Sequence, residues 1–322
     1  MYKKNILITG CCGFIGYHLS TELLKKFNVV GLDNLNKKLY SVEIKKNNLK
    51  KLKLNNNFIF KKLDLNNAKL LQKLFEKYNF KFVINLAGQA GVRTSIIDPI
   101  SHINDNIIGF TNLATNCYKK KIKLIFASSS SVYNEKINKI PFQESEKEIK
   151  PKTIYGFTKY TNELICNIFR EQFKLEYIGL RFFTVYGEEN RRDMAMFNFI
   201  NSIFNKKELT LYNKGKYKRD FTYVGDIVKI IEKIMIAKKN CWNEVYNIGA
   251  TNAVSTTTLV KKIEKILSIK AKIKYKNSGI EEPLITKSNK KKLERKIGKI
   301  NLTNIDDGLK KTIDWYLKNK KY

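Results

Sequence analysis

The sequence predicts an α/β fold in which a doubly wound parallel sheet is followed by a smaller C-terminal α/β lobe. Short apolar runs of strand type alternate with amphipathic helical patterns, and a glycine-rich turn joins the first run to the first helix. Strands that alternate with helices are typical of parallel sheets with helical crossovers. After about residue 188 the pattern is less regular, which indicates the second lobe. A chain of 322 residues is long enough for one large or two modest domains.

The elements are assigned in order along the chain. Short apolar runs predict strands, and apolar residues spaced three and four apart predict helices. Strands are predicted over residues 4–9, 29–33, 58–63, 82–86, 124–128, 176–181, 209–212 and 244–248. Helices are predicted over residues 15–26, 66–78, 104–120, 154–172, 193–205, 255–268 and 304–318. The Lys-rich segment 276–300 is poorly patterned, and we expect a loop and a short helix there.

Composition and cysteine usage indicate a cytoplasmic protein. No apolar run approaches the roughly 18 residues that a membrane helix needs, and the apolar run at residues 6–9 is too short for a signal peptide. We therefore expect no membrane partner. The cysteines are odd in number and lack metal-ligand spacing, so we expect reduced thiols and no metal site. They are Cys11, Cys12, Cys117, Cys166 and Cys241.

The formal net charge of +33 raises the question of nucleic-acid binding. Only seven of the 62 basic residues are arginine, and the lysines are spread along the chain. This distribution indicates a general compositional drift toward Lys, Asn and Ile. We expect weak, salt-dependent attraction to polyanions but no specific nucleic-acid partner.

The first predicted strand runs into a turn that has glycine at every third position, Gly10, Gly13 and Gly16. Glycines in this pattern permit a tight turn, let the backbone approach a pyrophosphate and let the helix pack closely on the strand. The N-terminus of that helix, at Phe14 and Ile15, would offer amide donors and a partial positive charge to the phosphates. The pattern therefore predicts a dinucleotide site.

Asp33 ends the second predicted strand at the position where a carboxylate hydrogen-bonds the adenosine ribose hydroxyls. A carboxylate there would repel a 2′-phosphate, so the sequence favours NAD over NADP as the cofactor. Small residues after the fourth strand would let the cofactor lie against the sheet edge. The further candidate cofactor contacts are Asn34, Asp64, Leu65, Leu86, Ala87 and Gly88.

A serine run at residues 128–131 precedes Tyr155 and Lys159, which are one helical turn apart and share a helix face. A free tyrosine has a pKa of about 10 and is a poor base at neutral pH. A nearby ammonium and a cationic nicotinamide both favour its phenolate. Together with a serine hydroxyl, this pair suits removal of a hydroxyl proton while hydride leaves the same carbon.

With these residues in place, the chain resembles the extended short-chain dehydrogenase/reductase family, and within it the UDP-glucuronate 4-epimerases. The resemblance extends over nearly the whole chain, and several of its motifs are specific to the uronate branch. Its motif blocks lie at residues 10–16, 31–36, 89–93, 155–159, 180–187, 191–195, 219–224 and 246–249.

The resemblance implies a Rossmann NAD-binding domain over residues 1–187, with segments returning from the C-terminal half, and a mainly nucleotide-sugar-binding lobe over residues 188–322. It implies NAD-dependent epimerisation of UDP-glucuronate to UDP-galacturonate through a transient 4-keto intermediate. By the same resemblance, Tyr155 is the base, Lys159 its partner and Ser129 the hydroxyl member. The substrate-binding residues would be Arg93, Ser129, Ser130, Thr184, Arg191 and Arg219, with the Asn247 region near the diphosphate. A cytoplasmic homodimer that serves polysaccharide biosynthesis is likewise implied.

The sequence departs from the family pattern at five places. Asn85 stands in place of a histidine, Gly88 in place of a second alanine, and Asn134 in place of a glycine. Gly225 stands in place of an acidic residue, and residues 280–282 in place of a Gly-Asp pair. None of these departures removes a proposed catalytic group, and the last concerns contacts with the nucleotide.

Arginine is scarce in this chain, yet most of its arginines fall in the motif blocks, and the planar fork of Arg191 would match a sugar carboxylate. Three alternatives stay open. A UDP-glucose or UDP-N-acetylglucosamine 4-epimerase usually carries asparagine at the position of Thr184. A UDP-glucuronate decarboxylase or a dehydratase commonly carries an acidic residue just after the position of Ser129. A non-catalytic NAD-binding or polyanion-binding protein would not need Ser129, Tyr155 and Lys159 together.

Overall fold

A computed structural model of the protein describes residues 4–37, 40–277, 279 and 283–319. The chain divides into two compact units, and each draws on more than one stretch of sequence. The first unit comprises Met1–Tyr133, Ile149–Arg181 and Val228–Tyr246. The second unit comprises Asn134–Glu148, Phe182–Ile227 and Asn247–Tyr322.

Twelve strands and twelve α-helices are present in the described ranges. The strands are β1 (Asn5–Thr9), β2 (Asn28–Asp33), β3 (Phe58–Lys62), β4 (Phe80–Asn85), β5 (Lys123–Ser129), β6 (Tyr177–Phe182), β7 (Thr184–Tyr186), β8 (Glu208–Tyr212), β9 (Lys218–Tyr223), β10 (Glu244–Ile248), β11 (Ala253–Ser255) and β12 (Lys272–Lys276). The helices are α1 (Phe14–Leu23), α2 (Val42–Leu52), α3 (Ala68–Lys77), α4 (Val92–Ile97), α5 (Pro99–Ile103), α6 (Gly109–Lys119), α7 (Ile154–Phe173), α8 (Ala195–Phe204), α9 (Val224–Met235), α10 (Thr256–Leu267), α11 (Lys291–Ile297) and α12 (Ile305–Lys318).

The first unit is built on a seven-stranded sheet with the strand order β10-β6-β5-β4-β1-β2-β3. Strand β1 pairs in parallel with β2 and β4, β2 with β3, and β4 with β5. The order reverses after β3, since β4 returns to the other side of β1, and this is the doubly wound arrangement that the sequence predicted. The carboxyl ends of β1, β2, β4 and β5 therefore lie along one edge of the sheet.

The first strand and first helix show how the sequence produces this arrangement. Ile6, Leu7 and Ile8 are fully buried in β1, as expected for a central strand that is covered on both faces. Helix α1 then packs tightly over the turn that follows β1. A Cβ atom on Gly16 would lie 2.0 Å from the carbonyl oxygen of Gly10, so only glycine allows this approach.

The second unit contains a three-stranded sheet, in the order β11-β9-β7, and a parallel pair of strands, β12 and β8. Strand β9 pairs in parallel with β7 and antiparallel with β11. Asp220 on β9 is fully buried and accepts hydrogen bonds from the backbone amides of Ala250, Thr251 and Ser288 and from the Ser288 hydroxyl. Its carboxylate therefore fixes two loops of this unit at the end of the sheet.

The predicted α/β fold class is confirmed, and every predicted strand and helix except the helix 104–120 falls within three residues of an observed element at each end. The predicted helix 104–120 is divided, because residues 104–108 form a π-helical turn before α6. The short helix expected within 276–300 is α11. Residues 280–282, where a departure from the family pattern was noted, lie outside the described residues. The elements not predicted from the sequence are α2, α4, α5, α9, β7, β9, β11 and β12.

Within the described ranges, no helix has the length and apolar character required to cross a membrane. The same ranges hold no cluster of three or more His, Cys, Asp or Glu side chains that could bind a metal ion. All five cysteines are buried free thiols.

The contact at Gly16 gives a first prediction. Gly16→Ala should destabilise the protein by about 3 kcal/mol, since overpacking against a backbone atom cannot be relieved by a rotamer change, and should lower Tm by roughly 5–10 °C. Thermal unfolding followed by circular dichroism measures the shift. Gly279→Ala is the matched control, because a Cβ there would meet nothing within 4 Å. Equal Tm values for the two variants would contradict the close packing of α1 on the turn.

Candidate active site

The glycine-rich turn of the first unit is held by its own backbone and by β2. The Gly10 amide donates to the carbonyl of Leu32 at 2.7 Å, and the Gly13 amide donates to the carbonyl of Gly10 at 3.0 Å. The side chains of Cys11 and Cys12 are fully buried, so the turn directs its thiols into the protein core. In the described structure, α1 has no side-chain cap at Gly13 and no acidic residue in its first turn. Such a helix end is suited to binding a phosphate.

Asp33 is buried at the end of β2, beside this turn. Its carboxylate accepts hydrogen bonds from the Cys12 amide at 3.3 Å and the Leu35 amide at 2.8 Å. These bonds fix its orientation and leave further lone pairs for a ligand. Asn34, the next residue, donates from its side chain to the Asp64 carboxylate at 2.7 Å. The ends of β2 and β3 are thus joined by predicted cofactor residues.

Three residues near this turn were missed by the sequence analysis. The Lys45 ammonium lies 3.6 Å from the Asp33 carboxylate and 5.6 Å from the centre of the Tyr40 ring. The Asn48 side chain donates to the carbonyl of Cys12 at 3.1 Å, and its own oxygen is buried with no partner in the described structure. Lys45 and Asn48 lie on α2, whose apolar residues at 42, 44, 49 and 52 are the signal that could have identified this helix.

The residues after β4 form the next part of the sheet edge. The Leu86 amide donates to the carbonyl of Thr9, and the Ala87 amide donates to the hydroxyl of Thr9 at 3.3 Å. Gly88 adopts a φ of +150°, and a Cβ there would lie 2.7 Å from the Asn106 side-chain oxygen and 3.5 Å from Lys159 Nζ. An alanine at this position would therefore be crowded and strained in this chain. Leu65, after β3, is buried in the core of this unit.

These residues fit a dinucleotide. The uncapped helix end would take the pyrophosphate, and the Asp33 carboxylate would accept hydrogen bonds from ribose hydroxyls. The Gly16 contact brings the helix end close to the turn, where a Cβ would block it. The side-chain oxygen of Asn48, which has no partner among the described residues, is one further polar atom at the turn.

Helix α7 carries Tyr155 and Lys159 and packs against β5 and the 3₁₀ turn, Ser130–Val132, that follows it. Its first turn is capped by Thr153, whose hydroxyl accepts the amide hydrogen of Gly156 at 3.0 Å. Lys159 is buried, and its ammonium donates to the carbonyl of Ala127 at 3.0 Å. The same ammonium lies 6.0 Å from the centre of the Tyr155 ring.

Burial lowers the pKa of Lys159 to about 8. The cause is desolvation of the ammonium, so Lys159 can change protonation state near neutral pH. The Tyr155 and His102 rings also pack edge to face, with their centroids 6.3 Å apart. This contact of His102 was not predicted, because the two residues are 53 positions apart in the chain and no local sequence signal connects them.

The structure distinguishes between the serines of the run at 128–131. Ser128 points into the core and donates to the Glu163 carboxylate at 2.5 Å. The Ser129 hydroxyl accepts the Ser131 amide hydrogen at 3.1 Å and keeps its own hydrogen for another partner. Ser130 is half-buried at the start of the 3₁₀ turn. The first unit therefore brings Ser129, Tyr155 and Lys159 to the carboxyl end of β5. Arg93, on α4 of the same unit, is exposed.

The second unit holds the other predicted substrate residues. Thr184 is half-buried at the start of β7, opposite Phe221 of β9. Arg191 presents Nε and Nη2 to the two carboxylate oxygens of Asp193, with Nε at 3.0 Å from Oδ1. This is the bidentate geometry that arginine forms with carboxylates.

Arg219 and Asn247 make structural contacts in the second unit. Arg219 donates through Nη1 to the carbonyls of Lys218 and Pro283, at 3.0 and 2.8 Å, and lies over the Tyr217 ring. The Asn247 side chain is fully buried and donates to the carbonyl of Phe142 at 2.9 Å. Asn247 therefore holds a loop of its own unit, a contact that the sequence analysis did not expect.

Comparison with known proteins places these features in a family. The model of the NAD dependent epimerase/dehydratase family matches residues 6–249. UDP-glucuronate 4-epimerase 2 of Arabidopsis thaliana is 36% identical, over 97% of this chain and 76% of its own.

Two solved structures are similar over almost their full length. UDP-glucuronic acid 4-epimerase from Bacillus cereus, in complex with UDP-glucuronic acid and NAD, is 32% identical with a TM-score of 0.91, over 98% of this chain and 99% of that chain. UDP-glucose 4-epimerase from Thermotoga maritima, with UDP-glucose, is 28% identical with a TM-score of 0.89, over the same shares. The chain therefore belongs to the NAD-dependent epimerase/dehydratase family, and it is an NAD-dependent nucleotide-sugar epimerase.

Proposed function

We propose that this epimerase inverts the hydroxyl at carbon 4 of UDP-glucuronate and so forms UDP-galacturonate. The observation that carries the proposal is the half-buried Arg191 fork, which pairs bidentately with the Asp193 carboxylate in this structure and would exchange that partner for the carboxylate of the sugar. A uronate differs from a neutral hexose by its carboxylate, and a planar guanidinium is the side chain that recognises one bidentately. Relatives from Arabidopsis thaliana and Bacillus cereus that bear the name of the uronate epimerase support the same substrate.

The residues of the first unit suit the redox step. Bound NAD supplies the chemistry of accepting a hydride from carbon 4 and returning it to the opposite face. Tyr155, as the phenolate, takes the proton of the carbon 4 hydroxyl and later gives it back. The ammonium of Lys159 favours the phenolate, and the Ser129 hydroxyl donates a hydrogen bond to the oxygen that becomes the carbonyl.

A uronate brings a hazard that a neutral sugar does not. Oxidation at carbon 4 produces a β-keto acid, which loses carbon dioxide when the bond to the carboxylate aligns with the carbonyl π system. We assign Thr184 and Arg191 to hold the carboxylate near the plane of that carbonyl, where the overlap is poor. Ser130 and Ser131 follow Ser129 where a decarboxylase commonly carries an acid, and this favours epimerisation over decarboxylation.

We assign the nucleotide-sugar contacts mainly to the second unit, with Arg93, Ser129 and Ser130 contributed by the first. We also propose a cytoplasmic enzyme, which agrees with five buried free thiols. A homodimer through α7 is favoured because Phe157, Leu164 and Ile168 are 49%, 43% and 51% exposed on one stripe of that helix.

The proposal is tested by incubating purified protein with UDP-glucuronate, first without and then with added NAD, and resolving the products by chromatography. UDP-galacturonate as the sole product is expected. Tyr155→Phe is the control and should retain NAD but lose nearly all turnover, because it lacks the base. UDP-pentose as the product would indicate a decarboxylase instead. Turnover of UDP-glucose without turnover of UDP-glucuronate would overturn the uronate assignment.

Arg191→Ala should raise KM for UDP-glucuronate about 10- to 100-fold, because a charged hydrogen-bonded contact contributes roughly 1.5–3 kcal/mol. It should also release UDP-pentose as a by-product, since the carboxylate is no longer held in plane. Steady-state kinetics and product chromatography measure both effects. Arg295→Ala, which removes an exposed arginine of α11, is the matched control. An unchanged KM and a pure product in Arg191→Ala would remove Arg191 from the carboxylate site.

The depressed pKa of Lys159 predicts an alkaline limit to activity. The ammonium is present below and lost above a pH of about 8, and its loss removes the charge that favours the Tyr155 phenolate. kcat measured from about pH 6 to about pH 10 should therefore decline with a midpoint near 8. In Lys159→Arg, where the guanidinium stays charged, the residual activity should not show this decline. A decline at the same pH in that variant would assign it to another group.

A further inference from the structure

Glu163 lies on the face of α7 that carries Tyr155 and Lys159. The three residues follow one another at intervals of four and therefore lie in one row along the helix. Glu163 is 3% exposed and Lys159 is 5% exposed. A carboxylate is almost never buried to this degree unless it is paired.

The partner of Glu163 is Arg181, at the end of β6. Arg181 donates from Nε to Oε1 at 2.9 Å and from Nη2 to Oε2 at 2.7 Å. The third guanidinium nitrogen of Arg181, Nη1, donates to the Tyr133 hydroxyl at 2.7 Å. The guanidinium lies 4.8 Å from the centre of the Tyr133 ring. Ser128 adds a hydrogen bond to Oε1 of Glu163. All four side chains belong to the first unit and are buried.

This cluster, Ser128, Tyr133, Glu163 and Arg181, holds the segment that carries Ser129. Ser128 precedes Ser129 in the chain, and Tyr133 closes the 3₁₀ turn that follows it. Lys159 adds an attachment through the carbonyl of Ala127. The segment 127–133 is therefore fixed before and after Ser129, and two of these attachments lead directly to α7.

Stability alone does not account for a buried ion pair here. Apolar residues of similar volume commonly stabilise a core as well as such a pair does. A bidentate pair with a shared hydroxyl, by contrast, allows only one relative position of the two elements that it joins. That property matters for a serine whose hydroxyl must meet the same substrate oxygen as a tyrosine on another element.

We propose that Glu163 and Arg181 are positioning residues that set Ser129 against Tyr155 and Lys159, with Ser128 as the link to the serine segment. The inference rests on the proposed roles of those three residues in the reaction. It also separates two adjacent serines by task, since Ser128 serves the positioning cluster and Ser129 serves the substrate.

Ser128→Ala tests the link with little risk to folding, because it removes one hydroxyl. It should lower kcat about tenfold and leave KM within about twofold, on whichever UDP-sugar the wild-type enzyme converts. Ser20→Ala is the matched control, since Ser20 is a buried serine of the same unit whose hydroxyl has no partner in the described structure. Equal kcat values for Ser128→Ala and Ser20→Ala would overturn the proposal.

A double variant separates positioning from stability. Glu163→Gln alone leaves the Arg181 charge unpaired and should lower both Tm and kcat. Glu163→Gln combined with Arg181→Met removes both charges, and it should recover Tm while kcat stays low. Recovery of kcat together with Tm would show that the cluster acts only on stability.

A measurement without substrate keeps this inference distinct from the proposed function. The ionisation of Tyr155 can be followed by ultraviolet difference titration of each protein against its own Tyr155→Phe counterpart. In the double variant the midpoint should move to higher pH, because the ammonium of Lys159 is no longer held in place. An unmoved midpoint would refute the positioning role, whichever UDP-sugar the wild-type enzyme converts. If the wild-type protein converts no UDP-sugar but the midpoint is higher in the double variant, only the proposed function is refuted.

Discussion

The parallel pairing of β1, β2, β4 and β5 is the constraint on which the rest of the first unit depends. Because these strands run in one direction, the residues that follow them meet at one edge of the sheet. The glycine-rich turn follows β1, Asp33 ends β2, and Leu86 follows β4, while Ser129 ends β5. Side chains distant in sequence thus need no special loop to come together, and α7 only has to lie beside β5 to complete the group.

The pKa values of the two buried cations of this region, Lys159 and Arg181, are shifted in opposite directions. Lys159 has a carbonyl as its described partner, and desolvation lowers its pKa. Desolvation acts in the same direction on Arg181, but the carboxylate of Glu163 outweighs it and raises the pKa of the guanidinium. Lys159 can therefore lose its charge as the pH rises past about 8, whereas Arg181 stays charged. This difference agrees with the proposed roles, in which the Lys159 ammonium favours the Tyr155 phenolate and Arg181 is a fixed positioning residue.

The features that the sequence predicted well are those with a local signal. Apolar runs marked the strands of the central sheet, and glycine spacing marked the turn. Strand β9 was missed because Lys218, Arg219 and Asp220 interrupt its apolar pattern, and the amides that satisfy Asp220 come from distant loops. The contacts of Lys45 and Glu163 likewise depend on tertiary structure. Helix α9 is different, since its isoleucines at 227, 230, 231 and 234 have helical spacing and could have been recognised.

Arginine usage connects these observations. In a chain with seven arginines among 62 basic residues, lysine is the default cation. Three of the seven nevertheless engage two or more acceptors or a carboxylate fork: Arg181 with Glu163 and Tyr133, Arg191 with Asp193, and Arg219 with two carbonyls. A lysine ammonium is a single point charge and cannot reproduce a planar fork of donors. At these three positions the direction of the hydrogen bonds matters as well as the charge, and the Arg191 fork faces a carboxylate at a half-buried site. That geometry is the physical basis for assigning it to an acidic sugar.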